Sequence, residues 1–329
     1  MAFTTEGFVL TKPGGPEQLK WKKITLGDVG PDDILIRHTA IGLNFIDVYH
    51  RTGLYPMSMP GTIGIEGVGI VEQVGSAVTG INEGMRVGYP ASAPGAYARH
   101  RIMPADRVVG LPDTISDQAA ACMLTKGCTV EFLIHRLKKV EPGETVLFHA
   151  VGGGVGLIAC QWLSSLGVRV IGTAGSDKKA DLAKENGCSY VINYRTEEVA
   201  ETVRSLTDGY GVPIVYDSVG KDSFEGSLNS LCPRGMFVSF GNATGPVDPI
   251  SPAMLSQRGS LFFTRPSLMH YVADPSDLKL STGRLFDAME KGDVRPQLKQ
   301  IFALEHAPEA HKALESRALK GQTILVPEL

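Results

Sequence analysis

Two stretches of this chain concentrate residue types that could do chemistry. They are a glycine cluster, HAVGGGVG at 149–156, and a polar-aromatic segment, IGLNFIDVYHRTGLYPM at 41–57. The cluster follows a β-branched and apolar run, 144–149, and leads into Leu157, Cys160, Gln161 and Leu163 to Leu166, the spacing of a helix with an apolar face. A strand that feeds a helix through glycines can hold a pyrophosphate. The first-turn amides have no partner inside the helix, the dipole end is positive, and glycine lets the backbone come close to the anion. The strict G-x-G-x-x-G fingerprint is only partly met: Val151 stands at its first position, and the motif is A-x-x-G-x-x-G at Ala150, Gly153 and Gly156. A glycine turn that binds nothing is the competing reading, so the elements around it must decide.

The second segment sets amide, carboxylate and phenol groups, from Asn44, Asp47, Tyr49 and Tyr55, among apolar residues. Asp47 also fits a helix start or a buried structural carboxylate. Tyr49 and Tyr55 also fit amphipathic packing with satisfied hydroxyls. Glu66 follows inside GTIGIEGVG at 61–69.

These groups need elements to position them. Residues 1–110 read as β-rich: short apolar runs at 34–36, 67–71 and 86–89 are separated by Gly, Pro, Asn and Asp turns, as in a partly open barrel. Residues 114–137 read as helical with a break at Lys126-Gly127. From 144 onward, strands (168–173, 190–193, 213–220, 235–240, 259–264) alternate with helices (176–187, 197–207 and one ending near 231). Ser176 and Gly187 are the N-cap and C′ residues of the first of these helices. The rhythm predicts a doubly wound parallel sheet with right-handed crossovers and ligands at the carboxyl ends of its strands. The tail, 268–329, leaves that rhythm and is expected to return to the first domain. The expected fold class is therefore α/β. A β-rich barrel domain spans 1–125 and 266–329, and a doubly wound domain spans 126–265.

Composition bounds the partners. The 329 residues are 43% hydrophobic and 20% charged with a net charge of −3, which argues against nucleic acid or an acidic membrane. MAFTTEGFVL lacks a basic region followed by an apolar core, and no apolar run approaches the roughly 20 residues of a membrane span. Five cysteines, never spaced as C-x-x-C, read as reduced thiols, so the expected location is cytoplasmic. The NAD form of this sheet places an acid about 20 residues past the glycines, on the ribose 2′-hydroxyl. Here the second strand ends Gly172-Thr173-Ala174 without one, and Ser176, Lys178 and Lys179 follow, which favours NADP(H). Asp177 in the same loop pulls the other way, and Lys178 also fits a solvated helix residue.

The runs IGLNFIDVYHRTGLYP, GTIGIEGVGIVEQVGS, GAYA, FHAVGGGVGLIACQW, INYR, VYDSVG, VSFGN, TRPS and ESRALKGQT extend from the first domain to the tail. Together they resemble the zinc-free quinone oxidoreductases related to ζ-crystallin, within the medium-chain dehydrogenase/reductases. The resemblance implies a GroES-like first domain and a Rossmann second domain. Zinc alcohol dehydrogenases of that superfamily carry Cys at the place of Asn44 and His at the place of Ile65. Here GIEGVG leaves only Glu66, and no cysteine precedes Cys122, so no metal is expected. Without a Lewis acid, an electron-poor quinone or activated alkene is the accessible hydride acceptor, and positioning carries most of the catalysis.

The resemblance also implies the site residues. Asn44, Tyr49 and Tyr55 line the substrate pocket beside the nicotinamide in an interdomain cleft, and Thr129 lies near it. Gly153, Gly154 and Val155 take the pyrophosphate; Ser176, Lys178, Tyr194 and Arg317 take the 2′-phosphate. Ser218 fits the adenosine side, Phe240, Gly241 and Asn242 the nicotinamide half, and Arg265 and Ser267 close the cleft. Ser218 and Asn242 also fit as turn residues, and Arg265 and Arg317 as surface ion-pair residues. The activity implied is NADPH:quinone oxidoreduction by a homodimer paired through the apolar edge strand at 259–264. Two alternatives stand beside it: an NADPH-dependent reductase of α,β-unsaturated carbonyls, and a non-catalytic crystallin-like or RNA-binding protein that keeps nucleotide binding.

Overall fold

Strands buried on both faces of a parallel sheet are written as apolar runs rather than as alternation, and the strands at 145–148, 169–174 and 212–217 are of this kind. The structure, a computed structural model, describes residues 3–316 and 319–328. Its strands are β1 (Phe3–Val9), β2 (Lys20–Leu26), β3 (Asp33–Gly42), β4 (Gly67–Val74), β5 (Arg86–Tyr89), β6 (His100–Pro104), β7 (Val109–Gly110), β8 (Thr145–Phe148), β9 (Arg169–Ala174), β10 (Tyr190–Asn193), β11 (Val212–Asp217), β12 (Leu231–Ser239), β13 (Phe262–Thr264), β14 (Leu298–Ala303) and β15 (Gln322–Val326). Its α-helices are α1 (Phe45–Thr52), α2 (Asp117–Glu131), α3 (Gly154–Ser165), α4 (Asp177–Glu185), α5 (Val199–Leu206), α6 (Phe224–Ser230), α7 (Pro252–Gln257), α8 (Leu268–Tyr271), α9 (Pro275–Lys291) and α10 (Ala307–Glu315). They fall into two compact units.

The first unit takes in the chain up to Thr129, Tyr271–Glu290 and everything from Pro296 on. Its main sheet runs β14-β15-β3-β4-β5-β7, with β6 also paired to β3, and β1 and β2 form a separate antiparallel pair. The tail returns as expected: β15 lies antiparallel to β3, with Ile324 opposite Gly42 and Leu325 opposite Ile41. All five β15 residues are buried. Leu304, Ala307, Ala310 and Leu325 join Phe8, Ile34, Ile36 and Val87 in one hydrophobic core, so the tail completes a core that residues 1–110 leave open.

One open reading in this unit, Asp47 at a helix start, is decided, and one expectation is corrected. The 41–57 segment contains a helix, α1, capped at Asn44 and ended by Gly53 in the left-handed region at φ 81°. The expected break at Lys126-Gly127 is absent, because α2 continues to Glu131 and passes into a wider π turn, Phe132–Leu137. Gly127 serves packing there, since a Cβ on it would lie 2.4 Å from Leu285 of α9.

The second unit comprises Val130–His270 and Lys291–Arg295. Its six strands, ordered β10-β9-β8-β11-β12-β13, are all parallel. Numbered within the unit this is 3-2-1-4-5-6, the dinucleotide-binding order, with its switch point between β8 and β11. The expected strand at 213–220 stops at Asp217, and Ser218-Val219-Gly220 turn away. The expected strand at 259–264 keeps only Phe262–Thr264, because Gly259 (φ 101°) and Ser260 (φ 57°) take left-handed backbone that a strand cannot hold.

Candidate nucleotide-binding and substrate residues

β8 delivers the glycine cluster to the switch point. Ala150 turns into the left-handed region at φ 57°, its carbonyl accepts from Gly153 N at 3.0 Å, and α3 starts with Gly153 as an extended N-cap (φ −91°) lacking a side-chain cap bond. The missing first glycine has a structural reason. Val151 is fully buried, and Gly172 of β9 makes room for it: a Cβ there would lie 2.6 Å from both Val151 methyl carbons. A bare N-cap at the carboxyl end of the first strand fits the pyrophosphate of a dinucleotide.

A buried network fixes the strand ends beneath this turn. His149 Nδ1 lies 3.0 Å from Thr173 Oγ1, and His149 Nε2 lies 2.9 Å from Ser227 Oγ. The Ser227 hydroxyl donates to Asp217 Oδ2 at 2.7 Å, while Asp217 Oδ1 accepts from the amides of Val219 at 2.7 Å and Gly220 at 3.0 Å. Because Ser227 gives its one proton to Asp217, it accepts from His149 Nε2–H, and His149 Nδ1 accepts from Thr173. Burial pushes the His149 pKa down against the pull of Asp217, which suits this neutral tautomer. Thr173 Oγ1 also accepts from Ala150 N at 3.2 Å, so the network reaches the glycine turn.

The remaining nucleotide candidates lie at neighbouring strand ends. Asn193 of β10 pairs with Ala174 of β9, which brings Tyr194 beside the loop that carries Ser176 and Lys178. Tyr194 is 44% exposed with its phenol against Gly175; Lys178 is exposed; Ser176 is the N-cap of α4. Asp177, the acid that competed with an NADP(H) reading, accepts from Asn193 Nδ2 at 3.1 Å. At the ends of β11 to β13, Gly241 lies against the Ser218 backbone, Ala243 N donates to Ser218 O at 3.2 Å, and Arg265 Nη1 donates to Ser239 O at 2.8 Å. The Phe240 ring sits 5.8 Å from Phe148, the Asn242 carbonyl accepts from Gly245 N, and the Ser267 carbonyl accepts from His270 N. Arg317 lies outside the described residues.

In the first unit, Asn44 is the centre of a polar cluster. Its Oδ1 accepts from Lys126 Nζ at 2.8 Å and its Nδ2 donates to Glu66 Oε2 at 2.8 Å. Lysine only donates and an ionised carboxylate only accepts, so the two neighbours fix the amide's orientation. Glu66 is fully buried, accepts from Thr125 N at 2.6 Å and stands 3.8 Å from Lys126 Nζ. Burial pushes the Glu66 carboxyl up, while Lys126, Asn44 and Thr125 oppose the shift. Gly42 belongs to this cluster by its size: a Cβ on it would fall 1.8 Å from Glu66 Oε2. Thr129, one turn along α2 from Thr125, donates to its carbonyl at 2.7 Å. The Tyr49 and Tyr55 rings meet edge to face at 5.2 Å.

A second chain of bonds leads from Asn44 toward the surface. Asp47 Oδ2 accepts from Asn44 N at 2.9 Å and from Tyr97 Oη at 3.2 Å; Tyr97 Oη is 3.0 Å from His311 Nε2; His311 Nδ1 is 3.2 Å from Arg51, which forms a two-point pair with Glu315 at 2.7 and 2.9 Å. Lys126, Thr125, Arg51 and the His149 network were not foreseen from sequence. The one local signal was Lys126 itself, a lone charge inside the apolar stretch AACMLTKGC. Among the described residues no group of three or more His, Cys, Asp or Glu side chains is arranged to hold a metal.

Comparison with known proteins adds to this geometry. Residues 30–113 match the family model of the alcohol dehydrogenase GroES-like domain, and residues 154–273 match that of the zinc-binding dehydrogenases. A quinone oxidoreductase of Pseudomonas aeruginosa is 46% identical over 315 residues, covering 95% of this chain and 97% of that protein. A 2-haloacrylate reductase of a Burkholderia species is 40% identical over 327 residues, covering 97% of this chain and 98% of that protein. The crystal structure of Escherichia coli quinone oxidoreductase complexed with NADPH superposes with a TM-score of 0.96 at 43% identity, covering 98% of this chain and 100% of that one.

Proposed function

The chain belongs to the quinone oxidoreductases of the medium-chain dehydrogenase/reductase superfamily, and on that premise we propose that it reduces quinones with NADPH and without a metal. The observation that carries the proposal is the likeness, across nearly the whole chain, to a quinone oxidoreductase complexed with NADPH. The acid-free end of β9, with Ser176, Lys178 and Tyr194 beside it, supports the 2′-phosphorylated cofactor. Gly153, Gly154 and Val155 hold the pyrophosphate at the start of α3. Ser218, Phe240, Gly241, Asn242, Arg265 and Ser267 supply the rest of the nucleotide surface, and Arg317 joins the 2′-phosphate group. Bound NADPH supplies hydride.

Asn44, Tyr49 and Tyr55 orient the quinone, with Thr129 nearby, and the phenols donate hydrogen bonds as neutral acids. Metal-free chemistry is supported by the cluster's own composition. Asn44 and Ile65 replace zinc-binding side chains, and the Lys126 ammonium, 3.8 Å from Glu66, repels a second cation. The edge strand β13, with Phe262 58% exposed, would be an aggregation hazard if uncovered, and we assign it to a homodimer interface. Five buried free thiols suit a reducing cytoplasm, and among the described residues no helix is long and apolar enough to cross a membrane.

NADPH oxidation with 1,4-benzoquinone tests the activity against its rivals. Turnover with 2-alkenals but no quinone would move the protein to enone reduction. Tight RNA binding with no turnover at all would make it a binding protein. A monomer in light scattering would remove the dimer.

A further inference from the structure

The first unit contains a cation that the sequence motifs did not use. Lys126 Nζ donates to Asn44 Oδ1 at 2.8 Å and lies 3.8 Å from Glu66 Oε2, and it makes no other hydrogen bond among the described residues. An ammonium carries three N–H donors, so among the described residues two of them have no acceptor within hydrogen-bond distance, Glu66 standing at 3.8 Å. Hydrogen bonds to charged groups are strong, and leaving such a group unmet in a buried place is costly. The ammonium is held by the Asn44 amide and faces the Glu66 carboxylate. Accessible surface is distributed unevenly around it. Lys126 (7%), Asn44 (8%) and Tyr49 (8%) keep a margin, whereas Glu66 and Asp47 keep none. An incoming molecule can therefore reach Lys126 and Asn44, while the Glu66 and Asp47 carboxylates stay closed to it.

We propose that Lys126 is a catalytic residue of quinone reduction: its ammonium, aimed by Asn44 and Glu66, receives the quinone oxygen that becomes negative as hydride arrives. This rests on the quinone-reductase reading above. Hydride transfer adds two electrons and one hydrogen to the quinone and leaves NADP+, so the quinone becomes a hydroquinone monoanion, and one proton from water completes the hydroquinone. Negative charge grows on oxygen during the first step. A fixed N–H donor aimed at that atom stabilises the transition state more than the neutral ground state, which is the condition for raising kcat. The ammonium supplies the positive charge that a Lewis-acid metal supplies in the zinc-containing relatives.

The test uses the intact protein and 4-nitrophenol, whose coloured phenolate mimics the hydroquinone anion. An opposite charge within hydrogen-bonding distance lowers an acid's pKa by about 1–3 units, so the phenol bound to the unmodified protein should titrate lower than free phenol by that amount. Lys126→Met should abolish the shift and lower kcat/KM for 1,4-benzoquinone by about 100-fold, the loss typical of removing one oxyanion donor, with NADPH affinity unchanged. Lys126→Arg keeps the charge and should keep most of the shift. Failure of the unmodified protein to bind 4-nitrophenolate, or binding with an unshifted titration, overturns the proposal even if the methionine variant does not fold. A methionine variant that keeps the shift, or keeps kcat/KM within twofold, also overturns it. If quinone turnover is absent from the unmodified protein, the functional reading fails separately, and the phenol titration still reports whether Lys126 is an anion site.

Discussion

Asp47→Asn should remove the part of the first unit's loss of stability with rising pH that comes from Asp47. Asp47 is fully buried, and burial pushes its pKa from 3.8 to about 7, against the Asn44 amide and Tyr97 hydroxyl that favour the ionised form. Its Oδ1 has no hydrogen-bond partner, so ionisation is poorly compensated. A shift of about 3 units corresponds to about 4 kcal/mol at about 1.4 kcal/mol per unit. For an acid whose pKa is raised by folding, the native state holds the proton longer than the unfolded state. Stability is therefore full below about pH 4 and is lost as pH rises through about 7. Asparagine still offers an oxygen to Asn44 N and Tyr97, puts an amide nitrogen at the Oδ1 position, and does not titrate. Losing a negative charge at the α1 N-terminus costs about 0.3–1 kcal/mol, much less than the penalty removed. Urea unfolding across pH 4 to 8 in a Trp162→Phe background, where Trp21 alone reports on the first unit, measures the difference. The stability of Asp47→Asn relative to its parent should rise by about 4 kcal/mol over that range. A difference constant within about 1 kcal/mol would refute a buried, strongly shifted carboxyl.

Three other outcomes follow from named contacts. Gly42→Ala should destabilise the first unit by about 1–3 kcal/mol, measured by urea unfolding, because its Cβ would fall 1.8 Å from Oε2 of Glu66, a carboxylate held by Asn44 and Lys126 at that oxygen and by Thr125 at the other. Ser227→Ala should cost the second unit about 1–3 kcal/mol, read from Trp162 fluorescence, because it leaves His149 Nε2 and Asp217 Oδ2 without their shared partner. Lys178→Ala should raise the KM for NADPH about tenfold or more and leave that for NADH unchanged, as expected for losing a charged hydrogen bond of about 1.5–3 kcal/mol. An unaltered NADPH preference would remove Lys178 from the 2′-phosphate group.

The doubly wound sheet was legible in sequence because its central strands are buried on both faces and glycines such as Gly167 and Gly187 turn left-handed just past its helices, so period and punctuation agree. The return of the tail was legible because residues 268–329 drop the strand–helix rhythm of the second unit yet end in another strand, which is buried throughout. Short-range readings failed where a distant residue decides. Lys126-Gly127 looked like a break because glycine is a poor helix former, yet its missing side chain lets Leu285 pack against α2. Lys126 meets Asn44 across 82 positions, and His149 meets Ser227 across 78, and neither pairing leaves a local pattern. Val151 looked like a defect in the phosphate fingerprint until Gly172 showed where the space had moved. β13 was overestimated because apolar Leu261 and Phe262 outweighed a Gly259-Ser260 pair that turns left-handed.

The central claim is metal-free quinone reduction with NADPH. Its most direct test is the steady-state rate of NADPH oxidation with a panel of small quinones, before and after exhaustive treatment with chelator and with NADH as the comparison. Turnover should prefer NADPH and be unchanged by the chelator. Activity that disappears with chelation and returns with zinc, or no turnover with any quinone, would contradict it.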